Sequence, residues 1–489
     1  MKELLHVGLF NDSFPPQIDG VANAVMNYAR ILQKQYGYAL VAAPFYPDAD
    51  DSAYPFKVVR YQSIDVSEWV GYRAGNPLDP KAIDRISQEP LDIVHAHCPV
   101  TAVMLGRSIR ETKRIPMVFT YHTKFDIDIR NAISAKLLQE AAIKALVHNI
   151  ECCDDVWVVS KGAGENLRSL GYKGNYTVME NGVDVPKGKA EDSQIDSVKK
   201  EFELDPSIPV FLYVGRMMWY KGIRITLDAL KKLRENGNTF RMIFVGSGID
   251  FDEIKAYSDS LGLSDFCIFT GPIHDREKLR AIYSAADLFL FPSTFDTNGL
   301  VVREAAASGL ASILIENSCA AEGVQDGKNG VLISENADDM ARALINLCQS
   351  REKMSQLGEN AMNDLYCSWE MSVLKAAQRY KDVIKDFTPR FQPLVRPDDA
   401  FYKSIGDTYT ALSKMRNFYN LEKEKRDLRI NEQLKAYSNR VTQNREALEN
   451  LREKWRQKAQ DMVEEIREQV DYYKDLNIFR RDDSGKKAK

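Results

Sequence analysis

Leu288-Phe-Leu-Phe-Pro-Ser-Thr-Phe-Asp-Thr-Asn-Gly-Leu-Val-Val-Arg-Glu304 decides how this chain folds. Its first four residues are apolar on both faces, the pattern of a short strand buried inside a parallel sheet. From Gly299 to Ala307 the residues read as the opening turns of a helix. A loop ending at a helix N-terminus offers unpaired backbone N–H groups and the positive end of the helix dipole, a setting suited to phosphate. Asp296 lies in that loop and Glu304 on the helix. A carboxylate cannot hold phosphate, but it accepts hydrogen bonds from sugar hydroxyls. Two acids flanking such a helix start suit a nucleotide-sugar better than a bare nucleotide.

Outward from this stretch, strands are expected at about 210–215, 241–248, 266–271, 288–291 and 312–315, with helices between them. A first run of the same kind has strands at about 6–10, 38–43, 91–95, 116–121 and 156–160, with a helix at 21–34. Such alternation implies doubly wound parallel sheets, whose ligands sit beyond the carboxyl ends of the strands. In the first half those positions are 11–20, His95-Ala-His97 and His122-Thr-Lys124. Residues 181–189 read as a connection and 368–385 as an amphipathic helix. Pro389, Pro393 and Pro397 then break the chain. Beyond them, apolar residues at 448, 451, 455, 459, 462, 466, 470 and 473 step by three or four, a helical stripe close to a heptad average. Residues 480–489 read as disordered.

The 291–304 stretch resembles the signature of retaining family 4 glycosyltransferases: a Pro-Ser strand end, an acid, a Gly-Leu pair and then a Glu. It departs at the first acid, where the family usually has Glu and Asp296 stands here; Thr297-Asn298 also replaces the commoner Ser-Phe. Val214-Gly-Arg216-Met-Met-Trp-Tyr-Lys221-Gly222 resembles the family's Gly-Arg…Lys-Gly element. The resemblance covers residues 5–385 and implies an α/β, GT-B architecture of two doubly wound Rossmann-like domains with a cleft between them. Residues 1–190 would form the acceptor domain, with 368–387 crossing back onto it, and 191–367 the donor domain. Residues 388–489 lie outside the match as a helical, coiled-coil-like extension with a disordered end.

The same resemblance assigns roles. Arg216 and Lys221 would bind the donor diphosphate, and His122 would touch the donor sugar. Gly20, Gly299, Leu300 and Val301 would bring backbone N–H groups to the phosphates, while Gly246 would line the base pocket. Glu304 would bind ribose hydroxyls, and Asp296 the sugar, with a reach one methylene shorter than Glu. The implied activity is retaining transfer of a hexose from a nucleotide-diphosphate sugar of the UDP-glucose type, with no metal or other cofactor. Residues 11–21 are similar to the opening of bacterial members that glucosylate diacylglycerol or mannosylate phosphoinositides. A lipid acceptor is therefore expected first, with a polysaccharide or protein acceptor as alternatives. Asp296 and the added C-terminal helix motivate a second reading, a catalytically weak partner or sugar-binding subunit.

Composition narrows the choice. At 489 residues the chain exceeds one compact core. A net charge of −4 argues against a nucleic-acid partner, although residues 401–489 alone carry +5. No apolar run approaches the roughly 18 residues that span a bilayer, and the N-terminus lacks a signal-peptide core. Seven scattered cysteines without CxxC spacing read as reduced thiols. The expectation is a cytoplasmic protein, with peripheral contact at the inner membrane face. The extension suits homo-oligomerisation better than anchoring, because its charges are well mixed. His95 and His97 lack a third metal ligand, and Asp126-Ile-Asp128 is a chance DxD. Gly246-Ser-Gly248 lacks the third glycine of a dinucleotide fingerprint, which makes a dehydrogenase remote.

Overall fold

The described strands of the first half are β1 (Leu5–Phe10), β2 (Gly37–Pro44), β3 (Lys57–Tyr61), β4 (Ser63–Asp65), β5 (Arg73–Gly75), β6 (Ile93–Ala96), β7 (Met117–Tyr121), β8 (Asp155–Val158) and β9 (Thr177–Val178). All but β4 and β5 join one parallel sheet in the order β3-β2-β1-β6-β7-β8-β9, and β4 and β5 pair as a separate antiparallel hairpin. The second sheet is built from β10 (Val210–Val214), β11 (Arg241–Val245), β12 (Cys267–Gly271), β13 (Leu288–Phe291), β14 (Ser312–Ile315) and β15 (Val331–Ile333). Its order, β12-β11-β10-β13-β14-β15, is again wholly parallel. In both sheets the order reverses beside the first strand, the 3-2-1-4-5-6 pattern of doubly wound folds. These positions come from a computed structural model that describes residues 4–66, 73–125, 129, 130, 133, 135–388 and 452–464.

Burial explains the sheets. β10 and β13 are buried at every residue, as strands covered on both faces must be. The helices between them carry side-chain caps: Asp19 accepts from Ala22 N, Asp275 from Glu277 N and Lys278 N, and Ser368 from Met371 N. The Trp369–Asp386 helix packs on the first sheet. Its Trp369, Val373 and Tyr380 share a core with Leu5, Val7, Tyr28 and Trp157. There Tyr380 stacks on Trp157 with centroids 5.1 Å apart, and Arg379 forks onto Asp155 at 2.7 and 2.9 Å.

The chain divides into two compact units, Met1–Tyr409 and Thr410–Lys489. The first holds both sheets; of the second, the described part is a helix at 452–464 that leaves Trp455, Met462 and Val463 exposed. Asp126 and Asp128 lie outside the described residues, as do the other members of the stripe apart from 455, 459 and 462. Three sheet-edge strands, β3, β9 and β15, and the β4–β5 hairpin are additions to the expected set.

Candidate functional site

The two points of strand-order reversal place the loops that matter. In the second sheet they are the loops after β10 and β13, and their backbones touch. Gly222 has φ of +77°, and a Cβ there would stand 2.0 Å from the Pro292 carbonyl oxygen, so only glycine fits. That contact delivers Lys221 to Asp296. The Lys221 ammonium donates to Asp296 Oδ1 at 2.8 Å, and Ser293 Oγ donates to Asp296 Oδ2 at 2.5 Å. The lysine and aspartate side chains are 10% and 19% exposed, so the pair sits largely out of water. The Lys221 ammonium also lies 5.6 Å from the Tyr220 ring and 6.0 Å from that of Phe291.

Gly299, with φ of +57°, is the N-cap of the Leu300–Ala307 helix and supplies no side-chain cap. The first N–H groups of this helix, among them those of Leu300 and Val301, are thus left for a ligand or water. Arg216 is exposed just past β10 and forms no ion pair among the described residues. Gly246 follows β11, and its N–H donates to Gly271 O at 2.9 Å. Glu304 lies one turn into the helix, where Tyr283 OH donates to its Oε2 at 3.2 Å and Arg276 stands 3.8 Å away. Burial raises the Glu304 pKa above the usual range, an effect that Arg276 opposes.

In the first sheet the reversal falls between β1 and β6. Asp12, just after β1, accepts from Ala102 N at 2.7 Å and Thr101 N at 3.2 Å, the opening N–H groups of the helix after β6. Burial pushes its pKa up to about 6. Gly20 begins the Gly20–Gln35 helix beside open space, so no described residue excludes a side chain there. His97, after β6, and His122, after β7, meet with Nδ1 and Nε2 2.9 Å apart. His95 is spent on structure, with one nitrogen on Tyr380 OH at 2.6 Å and the other on Thr120 Oγ1 at 2.7 Å. Desolvation lowers the pKa of all three, His122 to about 3, so each ring is neutral near pH 7.

The halves join through residues that no motif singles out. Ser160, after β8, donates from Oγ to the Thr297 carbonyl at 2.5 Å. Glu322 accepts from Lys161 N and Gly162 N at 2.7 and 2.6 Å, capping a first-half helix from the second half. β7 pairs with β8, Tyr121 opposite Val158, so His122 stands about one strand spacing from the Ser160 segment that touches the 296–299 loop. Lys221, Asp296 and Gly299 therefore gather with Ser160 at one junction, and His122 borders it. Arg216, Gly246 and Glu304 lie around the second sheet's end of the cleft, and Gly20 on the first sheet's. Among the described residues no group of three or more His, Cys, Asp or Glu side chains is placed to hold a metal ion.

Comparison with known proteins follows this division. The Glycosyltransferase Family 4 model matches residues 18–187, and the Glycosyl transferases group 1 model matches residues 194–364. The chain belongs to the GT-B glycosyltransferases. This glycosyltransferase is 26% identical over 310 residues to an alpha-monoglucosyldiacylglycerol synthase of Streptococcus pneumoniae, covering 62% of this chain and 70% of that one. It is 26% identical over 369 residues to the enzyme of the same name from Acholeplasma laidlawii, covering 73% and 92%. The glycosyltransferase also superposes on Anabaena Alr3699/HepE, solved in complex with UDP, with a TM-score of 0.60 at 20% identity. That match covers 78% of this chain and all of the other, and it bears on the fold alone.

Proposed function

We propose that this glycosyltransferase moves a hexose, with retention, from a UDP-linked donor to the hydroxyl of a membrane lipid such as diacylglycerol. The single observation that carries the donor half is the junction of Lys221, Asp296 and the uncapped Gly299 helix start at the second sheet's reversal point. In this reading Arg216, Lys221 and the N–H groups of Gly299, Leu300 and Val301 take the diphosphate. Gly246 backs the base, Glu304 takes ribose hydroxyls, Asp296 and His122 face the sugar, and Gly20 approaches the phosphates from the first half. The bond from the anomeric carbon to phosphate oxygen breaks. The acceptor oxygen then bonds that carbon on the same face, and its proton passes to the departing phosphate oxygen. No metal or other cofactor takes part, the fixed cations supplying the charge.

The acceptor half is supported by the diacylglycerol-glucosylating relatives and by apolar side chains near the carboxyl ends of the first sheet. Ile18, Phe45, Val100, Leu137 and Leu138 are all exposed there. No helix among the described residues is long and apolar enough to cross a membrane. The reading is therefore a cytoplasmic enzyme touching the inner membrane face peripherally, with the 388–489 extension serving homo-oligomerisation. One observation favours a second reading as a weakly active partner subunit, since Asp296 is already bonded to Lys221 and Ser293.

The test is purified full-length protein with UDP-glucose and diacylglycerol in vesicles, the product's anomeric configuration being read by NMR. An α-glucolipid that Glu304→Ala abolishes is the expected result. UDP binding without transfer to any lipid or glycan would replace this reading with the partner subunit.

A further inference from the structure

His97 is wholly buried, its ring centroid 5.7 Å from that of Tyr28 and 3.9 Å from that of His95. Its Nδ1 meets His122 Nε2, while its own Nε2 is sealed from solvent with no hydrogen-bond partner among the described residues. The other nitrogen of His122, Nδ1, is bonded to no described group, in a residue that keeps 6% of its surface exposed. Burial holds both rings neutral, so each carries one N–H and their shared hydrogen bond admits two arrangements.

In the first arrangement His97 donates from Nδ1. Its sealed Nε2 then holds only a lone pair, and His122 carries its hydrogen on Nδ1. In the second, His122 donates from Nε2, and the only hydrogen of His97 becomes a buried N–H with no acceptor. Orphaned buried N–H groups are rarer than under-used acceptors, because a buried donor left unpaired forfeits its hydrogen bond to water with nothing in return. The first arrangement prevails.

We propose that His97 is a positioning residue that fixes the tautomer of His122, so that His122 offers Nδ1–H as a donor to an oxygen of the bound sugar. The proposal rests on the reading that His122 faces that sugar. An uncharged donor there favours a hydroxyl or glycosidic oxygen without adding a cation beside Lys221. His95 takes no part, because both of its nitrogens are already engaged.

The test uses the full-length protein with ¹⁵N-labelled histidine. Two-bond ¹H–¹⁵N correlations should show His122 protonated at Nδ1, and this pattern should be lost in His97→Leu. In His97→Asn the amide nitrogen stands where the ring Nδ1–H was, and the pattern should return. In parallel, the affinity for UDP-glucose relative to UDP should fall about tenfold in His97→Leu, the loss of one hydrogen bond, and recover in His97→Asn. UDP affinity itself should not move. An Nε2–H tautomer of His122 in the wild type overturns the proposal, as does an unchanged affinity ratio in His97→Leu. If His97→Leu does not fold, the wild-type spectrum alone decides. Failure of the underlying reading looks different: His122→Ala would leave the ratio unchanged whatever the tautomer.

Discussion

Replacing Lys221 with Met separates the structural from the binding role of this cation. The ammonium lies 2.8 Å from Asp296 Oδ1 in a pair that is 10% and 19% exposed. Removing it leaves the Asp296 carboxylate with Ser293 Oγ as its one side-chain partner among the described residues. Breaking a buried pair in this way costs about 3–5 kcal/mol, because the remaining charge is stranded. The pair opens onto the cleft, so the lower figure, about 3 kcal/mol, is expected. Asp296→Asn keeps an oxygen facing Lys221 and should cost roughly half as much. In the double variant Lys221→Met/Asp296→Asn no charge is stranded, and the cycle should show a coupling of about 2 kcal/mol. Denaturant unfolding of the four proteins measures this. A coupling below about 0.5 kcal/mol would refute the stranded-charge reasoning. Repeating the series with UDP adds the binding arm: stabilisation by UDP should vanish in Lys221→Met and persist in Asp296→Asn.

Three further outcomes are expected. Gly222→Ala would place a Cβ 2.0 Å from Pro292 O in a left-handed conformation, so it should lower stability by roughly 3 kcal/mol or more and weaken UDP binding with it; an unchanged melting curve would show that the two loops do not need this contact. Asn298 is buried with neither amide atom bonded to a described residue, so Asn298→Leu, close in volume, should raise the melting temperature by a few degrees, and a fall would mean that the amide has a partner. Stability should also fall with acid, because His95, His97 and His122 have depressed folded pKa values and the unfolded chain takes up their protons below about 6.5. Asp12 opposes this, since its folded pKa is raised to about 6 and protonation favours the fold as pH falls through that value. Glu304, whose folded pKa burial also raises, adds to this opposition; three imidazoles against two carboxyls still give a net loss of roughly 2–3 kcal/mol between pH 7 and 5.5, and urea midpoints that do not drop over that interval would contradict the buried, neutral cluster.

Much of the fold was legible because a parallel sheet buries both faces of its strands. Val210–Val214 and Leu288–Phe291 read as unbroken apolar runs, and their turns mark the carboxyl ends where ligands gather. Edge strands lack this signature. β3 opens on an exposed lysine and alternates half-buried with buried residues, and β9 has only two residues, so neither stood out. Arg216, Lys221, Asp296 and Glu304 were legible as candidates from the motifs around them. Their partnerships were not, since Lys221 meets Asp296 across 75 positions and Ser160 meets Thr297 across 137. Strand order makes those meetings, and no local pattern encodes it. His97 shows the same limit. Its spacing from His95 hinted at a metal, but the pairing of β6 with β7 turns it toward His122 instead.

Thermal unfolding in the presence of UDP, GDP, ADP and their glucose conjugates, repeated with Arg216→Ala, tests the donor site most directly. A ligand that binds only the folded state raises the melting temperature as its concentration rises. UDP or UDP-glucose should raise the melting temperature of the wild type, and Arg216→Ala, altering an exposed side chain with no ion pair among the described residues, should abolish that rise while leaving the unliganded melting temperature within about a degree. No response to any nucleoside diphosphate, or a response that Arg216→Ala leaves intact, would contradict the placing of the diphosphate between the β10 and β13 loops.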